Sequence, residues 1–197
     1  MGTPMLIVMA VINLAISWYN AKVCGSCWAE AKAFGGFPRL LVWCGAVQSA
    51  VGFSMLLLWA ALFAAHFFEI LPAKILDGAV SLWYLAVIIP VIGTGLIITI
   101  ESLVTAWRKR NLLHIGRAAW NTYATVSNIH DASSGMVSNS LDSVSGMFDS
   151  DDSASTAAAK LAFVLVGFSL AGGVLLTIWL IRHYARQARY NQLEYQN

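Results

Sequence analysis

Charged residues are missing from four long stretches of this sequence, and no other feature restricts its fold as strongly. No Asp, Glu, Lys or Arg occurs at positions 1–21, 40–68, 78–100 or 161–181. A helix needs roughly 20 apolar residues to cross a hydrocarbon core about 30 Å thick, and only a helix keeps an open-ended backbone hydrogen-bonded in lipid. The sequence therefore predicts an all-α integral membrane protein with four transmembrane helices, at about 4–20, 40–68, 78–100 and 161–181. We treat 1–197 as one membrane domain.

The overall composition excludes several function classes. Only 11% of the residues are charged, against about 25% in a soluble domain. The net charge of +2 comes from 12 basic and 10 acidic residues, which is too dilute a basic surface to neutralise nucleic-acid phosphates. The sequence has no glycine-rich phosphate loop, HExxH, GxSxG or paired acidic motif. We therefore expect no enzyme activity, no cofactor, no bound metal and no direct contact with nucleic acid.

Small residues spaced along the second and fourth predicted helices indicate close helix packing. Such residues let helix backbones approach each other in lipid, where the hydrophobic effect no longer drives association. The contacts are expected within one subunit, in a homo-oligomer or with other membrane subunits. The residues concerned are Gly45, Ser49 and Gly52 in the second helix, and Gly167, Ala171, Ser169 and Gly173 in the fourth.

The third predicted helix contains Pro90, Gly93 and Gly95 near its middle. Proline removes a backbone donor and glycine loosens the helix, so the sequence predicts a kink there. A pore would use this kinked helix together with Asn13, Gln48 and Thr94 as polar lining. An oligomeric pore or channel is therefore an alternative function.

The long polar stretch at 102–160 begins with a pattern typical of an amphipathic helix. From Asn111 to Ile129, apolar residues recur at three- and four-residue steps, with polar residues on the other face. Basic residues and one tryptophan lie just before this helix and in its first turns. They would place the N-terminal end of the helix at the anionic headgroups of the bilayer. The residues of this predicted membrane-surface segment are Trp107, Arg108, Lys109, Arg110 and Arg117. Packing against neighbouring subunits or loops is the alternative.

Two weaker features follow in the same stretch. A second amphipathic segment is predicted to be interrupted at Gly135 and Gly146. Positions 149–153, with the sequence DSDDS, indicate a flexible acidic turn before the fourth transmembrane helix.

The distribution of Lys and Arg predicts an orientation. With four crossings, the loops after the first and third helices hold eight of the twelve basic residues, and the opposite side holds four. The positive-inside rule then places those two loops in the cytoplasm and both termini outside. Arg182, Arg186 and Arg189, after the last helix, oppose this arrangement.

Cysteine and histidine give two further hypotheses. Cys24 and Cys27 form a CxxC pair in the predicted first loop, and whether they are bonded depends on which compartment that loop faces. Cys44 is expected to be a small buried residue of the second helix. His66, with Glu69 and Glu101, could serve a haem or a proton pathway, but all three lie at predicted helix ends, where solvated side chains are more common.

Several segments resemble small polytopic inner-membrane proteins encoded on conjugative plasmids. The segments are GGFPRLLVWCGAVQSAVGF at 35–53, PVIGTG at 90–95, IES at 100–102 and AAWNTY at 118–123. The resemblance covers most of the chain, and it carries no catalytic or binding residues. It implies a bacterial inner-membrane component of a DNA-transfer apparatus of the type IV secretion kind, acting as an assembly part.

Overall fold

The computed structural model describes residues 3–149 and 153–194, and every regular element in those ranges is a helix. The helices are α1 (Thr3–Phe34), α2 (Gly36–Phe67), α3 (Ala73–Lys109), α4 (Leu112–Asp131), α5 (Val137–Phe148) and α6 (Ser153–Glu194). In the described residues, α1, α2, α3 and α6 are long and apolar enough to cross a membrane. The all-α fold and the four apolar membrane-spanning candidates predicted from the sequence are thus confirmed. The predicted acidic turn falls largely on 150–152, outside the described residues.

The first loop predicted from the sequence is almost entirely helical. The helix α1 continues to Phe34, and α2 begins at Gly36. Lys22 and the Cys24–Cys27 pair therefore lie within α1, and Arg39 lies within α2. The physical reason is that charge marks the edge of the bilayer and does not end a helix. The chain turns only at Gly35 and Gly36, whose φ values of 63° and 61° suit glycine.

The loops on both sides of α3 are short. Glu69, with a φ of 54°, lies in the turn between α2 and α3. At the other end, Arg110 adopts a left-handed conformation and donates its backbone N–H to the carbonyl of Ala106 at 2.9 Å. Asn111 then caps α4, since its side-chain oxygen accepts a hydrogen bond from the backbone N–H of Leu113 at 3.0 Å. Two residues are therefore enough to reverse the chain from α3 into α4.

The chain divides into two compact units. The first contains the described residues of Met1–Leu57 and Leu170–Asn197, and the second is Leu58–Ser169. The first unit thus contains α1, the first part of α2 and the second part of α6. The second unit contains the end of α2, all of α3, α4 and α5, and the start of α6.

Polar and small side chains join the three helices of the first unit. The Ser49 hydroxyl donates to the backbone carbonyl of Ser17 at 2.9 Å and lies 3.3 Å from the hydroxyl of Thr177. All three residues are buried. The Asn13 amide donates to the carbonyl of Gly52 at 3.1 Å. Each of these hydrogen bonds links two helices. The buried polar side chains therefore find their partners inside the unit and stabilise its helix contacts.

Apolar contacts complete the first unit. Ala21, Phe53 and Leu180 form one buried cluster, and Cys24, Ala31 and Val42 form another. Each cluster uses side chains from at least two helices. In both clusters the smallest residues lie on α1, which lets the neighbouring helices approach it closely.

Candidate functional site

The second unit is organised around α3, which α4 and α5 follow in the opposite direction. We call residues 112–148, which comprise α4, the connection Ala132–Met136 and α5, the return leg. The contacts between α3 and the return leg mix polar, charged and small residues. Because this contact includes the ion pair found among the described residues, we take it as the candidate functional site.

An ion pair lies at the end of this contact closest to the α3–α4 turn. Arg117 donates through Nη2 to Oε2 of Glu101 at 3.2 Å, and Thr105 donates to the other carboxylate oxygen at 2.9 Å. The Glu101 side chain is 20% exposed and that of Arg117 52%. The two charges therefore neutralise each other at a half-buried position, where a lone carboxylate would be costly in lipid.

Threonine hydroxyls form the middle of the contact. Thr99 donates to the backbone carbonyl of Asn121 at 3.0 Å, and its hydroxyl lies 3.0 Å from that of Thr125. Gly95 lies one turn before Thr99, and a Cβ at Gly95 would be 2.9 Å from the Thr125 hydroxyl. The glycine thus allows the close approach that the hydroxyl pair requires.

Glycine and methionine residues form the end of the contact that is farthest from the α3–α4 turn. Met147 is buried and lies directly over Gly78, which leaves no room for a side chain there. A Cβ at Gly146 would be 3.3 Å from Cε of Lys74. The contact therefore extends to the first turn of α3.

The order of these contacts shows that the return leg runs the whole length of α3. Residue numbers fall on α3 from Glu101 to Lys74 as they rise on the return leg from Arg117 to Gly146. Over that distance α3 advances about 40 Å, which exceeds the roughly 30 Å hydrocarbon core of a bilayer. The return leg therefore matches α3 over a full membrane thickness.

A break divides the return leg into its two helices. Ser134 has a φ of −83° and a ψ of 16°, and Gly135 has a φ of 95°. The predicted interruption at Gly135 thus coincides with a real break, whereas Gly146 lies within the helix α5. Gly146 packs against Lys74 instead of ending a helix, and sequence alone does not separate these two uses of glycine.

The two helices of the return leg expose different chemistry. On α4 the exposed side chains are mainly large and apolar, and Leu112, Trp120, Tyr123 and Val126 are 58–85% exposed. The segment of α5 and the break before it exposes the apolar residues Met136, Leu141 and Phe148, together with small polar residues and one carboxylate. The exposed polar residues are Ser133, Ser134, Ser138, Asn139, Asp142 and Ser145, which we call the α5 polar face.

The small residues singled out from the sequence fall into two groups. Gly45, Ser49, Gly52 and Gly173 lie at helix–helix contacts of the first unit, for example Gly45 against the Cys24 sulfur and Gly173 against Ser54. The second group, like Gly173, lies on α6. Gly167 and Ala171 are exposed, and Ser169 is buried and donates to the carbonyl of Leu165 in its own helix.

The predicted kink residues and surface residues also have different environments. The helix α3 continues through Pro90, whose carbonyl accepts a 2.6 Å hydrogen bond from Thr94, and Gly93 faces open space. The kink itself stays a prediction. Trp107 is 78% exposed, and Arg108, Lys109 and Arg110 are exposed as well. Arg117 differs from them because it is paired with Glu101.

The residues of the haem hypothesis do not form one cluster, and two residues of the pore hypothesis have hydrogen-bond partners of their own. His66 and Glu69 are exposed and line a shallow open pocket at the turn between α2 and α3, while Glu101 is paired with Arg117. Of the polar residues suggested for a pore, Asn13 bonds to Gly52 and Thr94 to Pro90. Within the described part of the chain, no group of three or more His, Cys, Asp or Glu residues could hold a metal ion.

Comparison with protein-family models, with curated proteins and with solved structures finds no match for this chain. The geometry of the helices is therefore the basis for assigning a function.

Proposed function

We propose that this protein is a non-enzymatic, oligomeric membrane subunit in which the return leg crosses the bilayer beside α3. The observation that carries the proposal is the register between these two elements. A spanning α3 would bring the return leg to the same depth, because they stay in contact from Glu101 to Lys74. The sequence-based picture of α4 as a helix lying flat on the headgroups would require the Thr99–Thr125 contact to break.

The composition of the return leg agrees with an embedded position. Arg117, Asp131 and Asp142 are its only charged residues, and Arg117 is neutralised by Glu101. The Thr125 side chain is buried against Thr99 of α3, which also donates to the backbone carbonyl of Asn121, while large apolar residues of α4 are exposed. This arrangement is expected for a helix in lipid, where polar side chains find partners inside the bundle.

A fifth crossing also improves the agreement with the positive-inside rule. Five crossings place ten of the twelve basic residues on one side, and only Lys74 and Lys160 on the other. The arginines after the last membrane helix, which oppose a four-crossing arrangement, then lie on the basic side. The ten residues are Lys22, Lys32, Arg39, Arg108, Lys109, Arg110, Arg117, Arg182, Arg186 and Arg189.

The α5 polar face supports an assembly role. Ser133, Ser134 and Ser138 donate to carbonyls of the return leg itself. The exposed Asn139 and Asp142 side chains are nevertheless unfavourable against lipid tails, so a helix at membrane depth needs a partner to cover them. The Asn139 amide can both donate and accept hydrogen bonds, and the Ser138 hydroxyl, which donates to the carbonyl of Gly135, can still accept them, so the face is complementary to itself. We therefore assign a second copy of this chain as its partner.

Cross-linking tests this assignment. In a variant without the native cysteines, Ser138→Cys is expected to form a covalent dimer when membranes are treated with a mild oxidant. The reason is that two copies of the α5 polar face meet there. Tyr123→Cys, on the exposed apolar side of α4, is the matched control and should stay monomeric. A monomeric Ser138→Cys protein, or equal cross-linking at Tyr123→Cys, would contradict the proposed interface.

We further propose that this assembly belongs to a DNA-transfer apparatus of the bacterial inner membrane. The support is the resemblance of several segments to inner-membrane proteins of conjugative plasmids. Deleting the gene should abolish DNA transfer and leave the membrane potential unchanged, because an assembly part supports the apparatus without carrying ions itself. Transfer efficiency in a mating assay is the measurement. Undiminished transfer by the deletion strain would remove this placement, while the oligomeric membrane subunit would still stand or fall by cross-linking.

A further inference from the structure

The α3–α4 hairpin contains an apolar groove next to its turn. Leu103 and Ala106 on α3 and Ile115, Ala119, Tyr123 and Val126 on α4 are among its lining residues. The groove is more open than enclosed, and it has a volume of about 740 Å³. An open apolar groove on the outside of a membrane hairpin has the chemistry of a lipid acyl chain.

Three basic residues follow the lining residue Ala106 in the chain, at positions 108–110. Arg108, Lys109 and Arg110 are all exposed, and among the described residues no carboxylate lies within ion-pair distance of any of them. The backbone N–H of Arg110 donates to the carbonyl of Ala106, a lining residue, and this keeps the Arg110 backbone next to the groove. The nearby Glu101 does not offset these charges, since it is occupied by Arg117.

Two further features favour an anionic group at this position. The helix α4 begins at Leu112, two residues after Arg110, and its first turn offers backbone N–H groups to an anion, although the C-terminal dipole of α3 at the same turn offsets the dipole of α4. The Arg110 guanidinium lies 6.0 Å from the centre of the exposed Trp107 ring. Tryptophan is typical of the headgroup level of a bilayer, where such a ring has one apolar and one wet side.

We infer that the groove and the cluster Arg108–Arg110 form a binding site for one anionic phospholipid. The acyl chain occupies the groove, and the phosphate meets the three cations at the α3–α4 turn. Neither part alone selects this ligand, since a free phosphate would not use the groove and a zwitterionic lipid would not use the excess positive charge. The inference rests on the proposed membrane placement of this turn, but not on the oligomer or on DNA transfer.

Native mass spectrometry of the purified full chain tests the site, with phosphatidylglycerol and phosphatidylcholine as the added lipids. The unaltered protein should retain phosphatidylglycerol preferentially. The amount of phosphatidylglycerol retained should fall at least about tenfold in the variant R108Q/K109Q/R110Q, because each basic residue at the surface adds to the attraction for anionic lipid. The variant R182Q/R186Q/R189Q removes the same charge elsewhere and should retain as much lipid as the unaltered protein.

A second variant tests the groove separately from the charges. Ala119 is exposed and lines the groove, so Ala119→Phe fills it without disturbing the packed side of α4, and should also reduce retention of phosphatidylglycerol. The inference is overturned if either variant retains the lipid as the unaltered protein does, or if phosphatidylcholine is retained equally. Displacement by millimolar inorganic phosphate would overturn it too, since the site would then bind the free anion.

Discussion

A maleimide that does not cross membranes should label a cysteine at Asn111 and a cysteine at Asp149 from opposite sides of a sealed vesicle. Asn111 lies in the turn between α3 and α4, and Asp149 directly follows α5. Both are exposed. If the return leg crosses the bilayer, the two positions are separated by a full membrane thickness, and labelling from one side is expected to be all or none.

Two positions on α3 provide matched controls. Arg108 lies at the same end of the hairpin as Asn111, and Lys74 contacts α5 near the Asp149 end. Arg108→Cys should therefore label from the same side as Asn111→Cys, and Lys74→Cys from the same side as Asp149→Cys. The native cysteines are replaced in all four variants, and labelling after detergent permeabilisation shows that every position is reactive.

A four-crossing protein predicts a different pattern. There the whole segment between α3 and α6 stays on one side, so Asn111 and Asp149 label together, from the side opposite to Lys74. That result would remove the fifth crossing and, with it, the ten-to-two distribution of basic residues. The labelling result is independent of the cross-linking result at Ser138, so a membrane crossing and a self-contact can fail separately.

The amphipathic pattern of α4 shows where sequence reasoning reached its limit. The sequence predicts a helix with Asn121 and Thr125 on one face and Ile115 and Val126 on the other, and the structure has a helix there. Periodicity does not tell which face meets the solvent. On a membrane surface the polar face is outside, whereas in the structure the Thr125 hydroxyl lies 3.0 Å from that of Thr99 on α3. Thr99 also donates to the backbone carbonyl of Asn121. The pattern of α4 does not reveal that a hydroxyl of α3, that of Thr99, covers this face.

Helix ends show a related limit. The charges at Lys22 and Lys32 suggest that the first helix stops near position 20, yet α1 continues to Phe34. A bilayer edge and a helix end are set by different physics, namely the cost of burying charge and the conformation of the backbone. The double glycine at 35–36 was the usable signal, since both residues have positive φ.

Alanine at Gly173 is expected to destabilise the protein, and alanine at Gly167 is not, although both glycines lie on α6 in the same kind of small-residue spacing. A Cβ at Gly173 would be 2.6 Å from the backbone nitrogen of Ser54 and 2.8 Å from its Cβ. The helices α2 and α6 would have to separate, which also strains the neighbouring contact between Ser49 and Thr177. Overpacking of this kind costs about 1–3 kcal/mol.

Gly167→Ala is the control, for which no loss of stability is expected. No heavy atom lies within 4 Å of a Cβ built there, so Gly167→Ala gains helix propensity of up to about 1 kcal/mol with no steric cost. Thermal unfolding of both variants in the same detergent is the measurement: the midpoint should fall for Gly173→Ala and stay level or rise for Gly167→Ala. Equal shifts would mean that spacing alone determines the role of these glycines, and that the close approach of α6 to α2 at Ser54 does not stabilise the first unit.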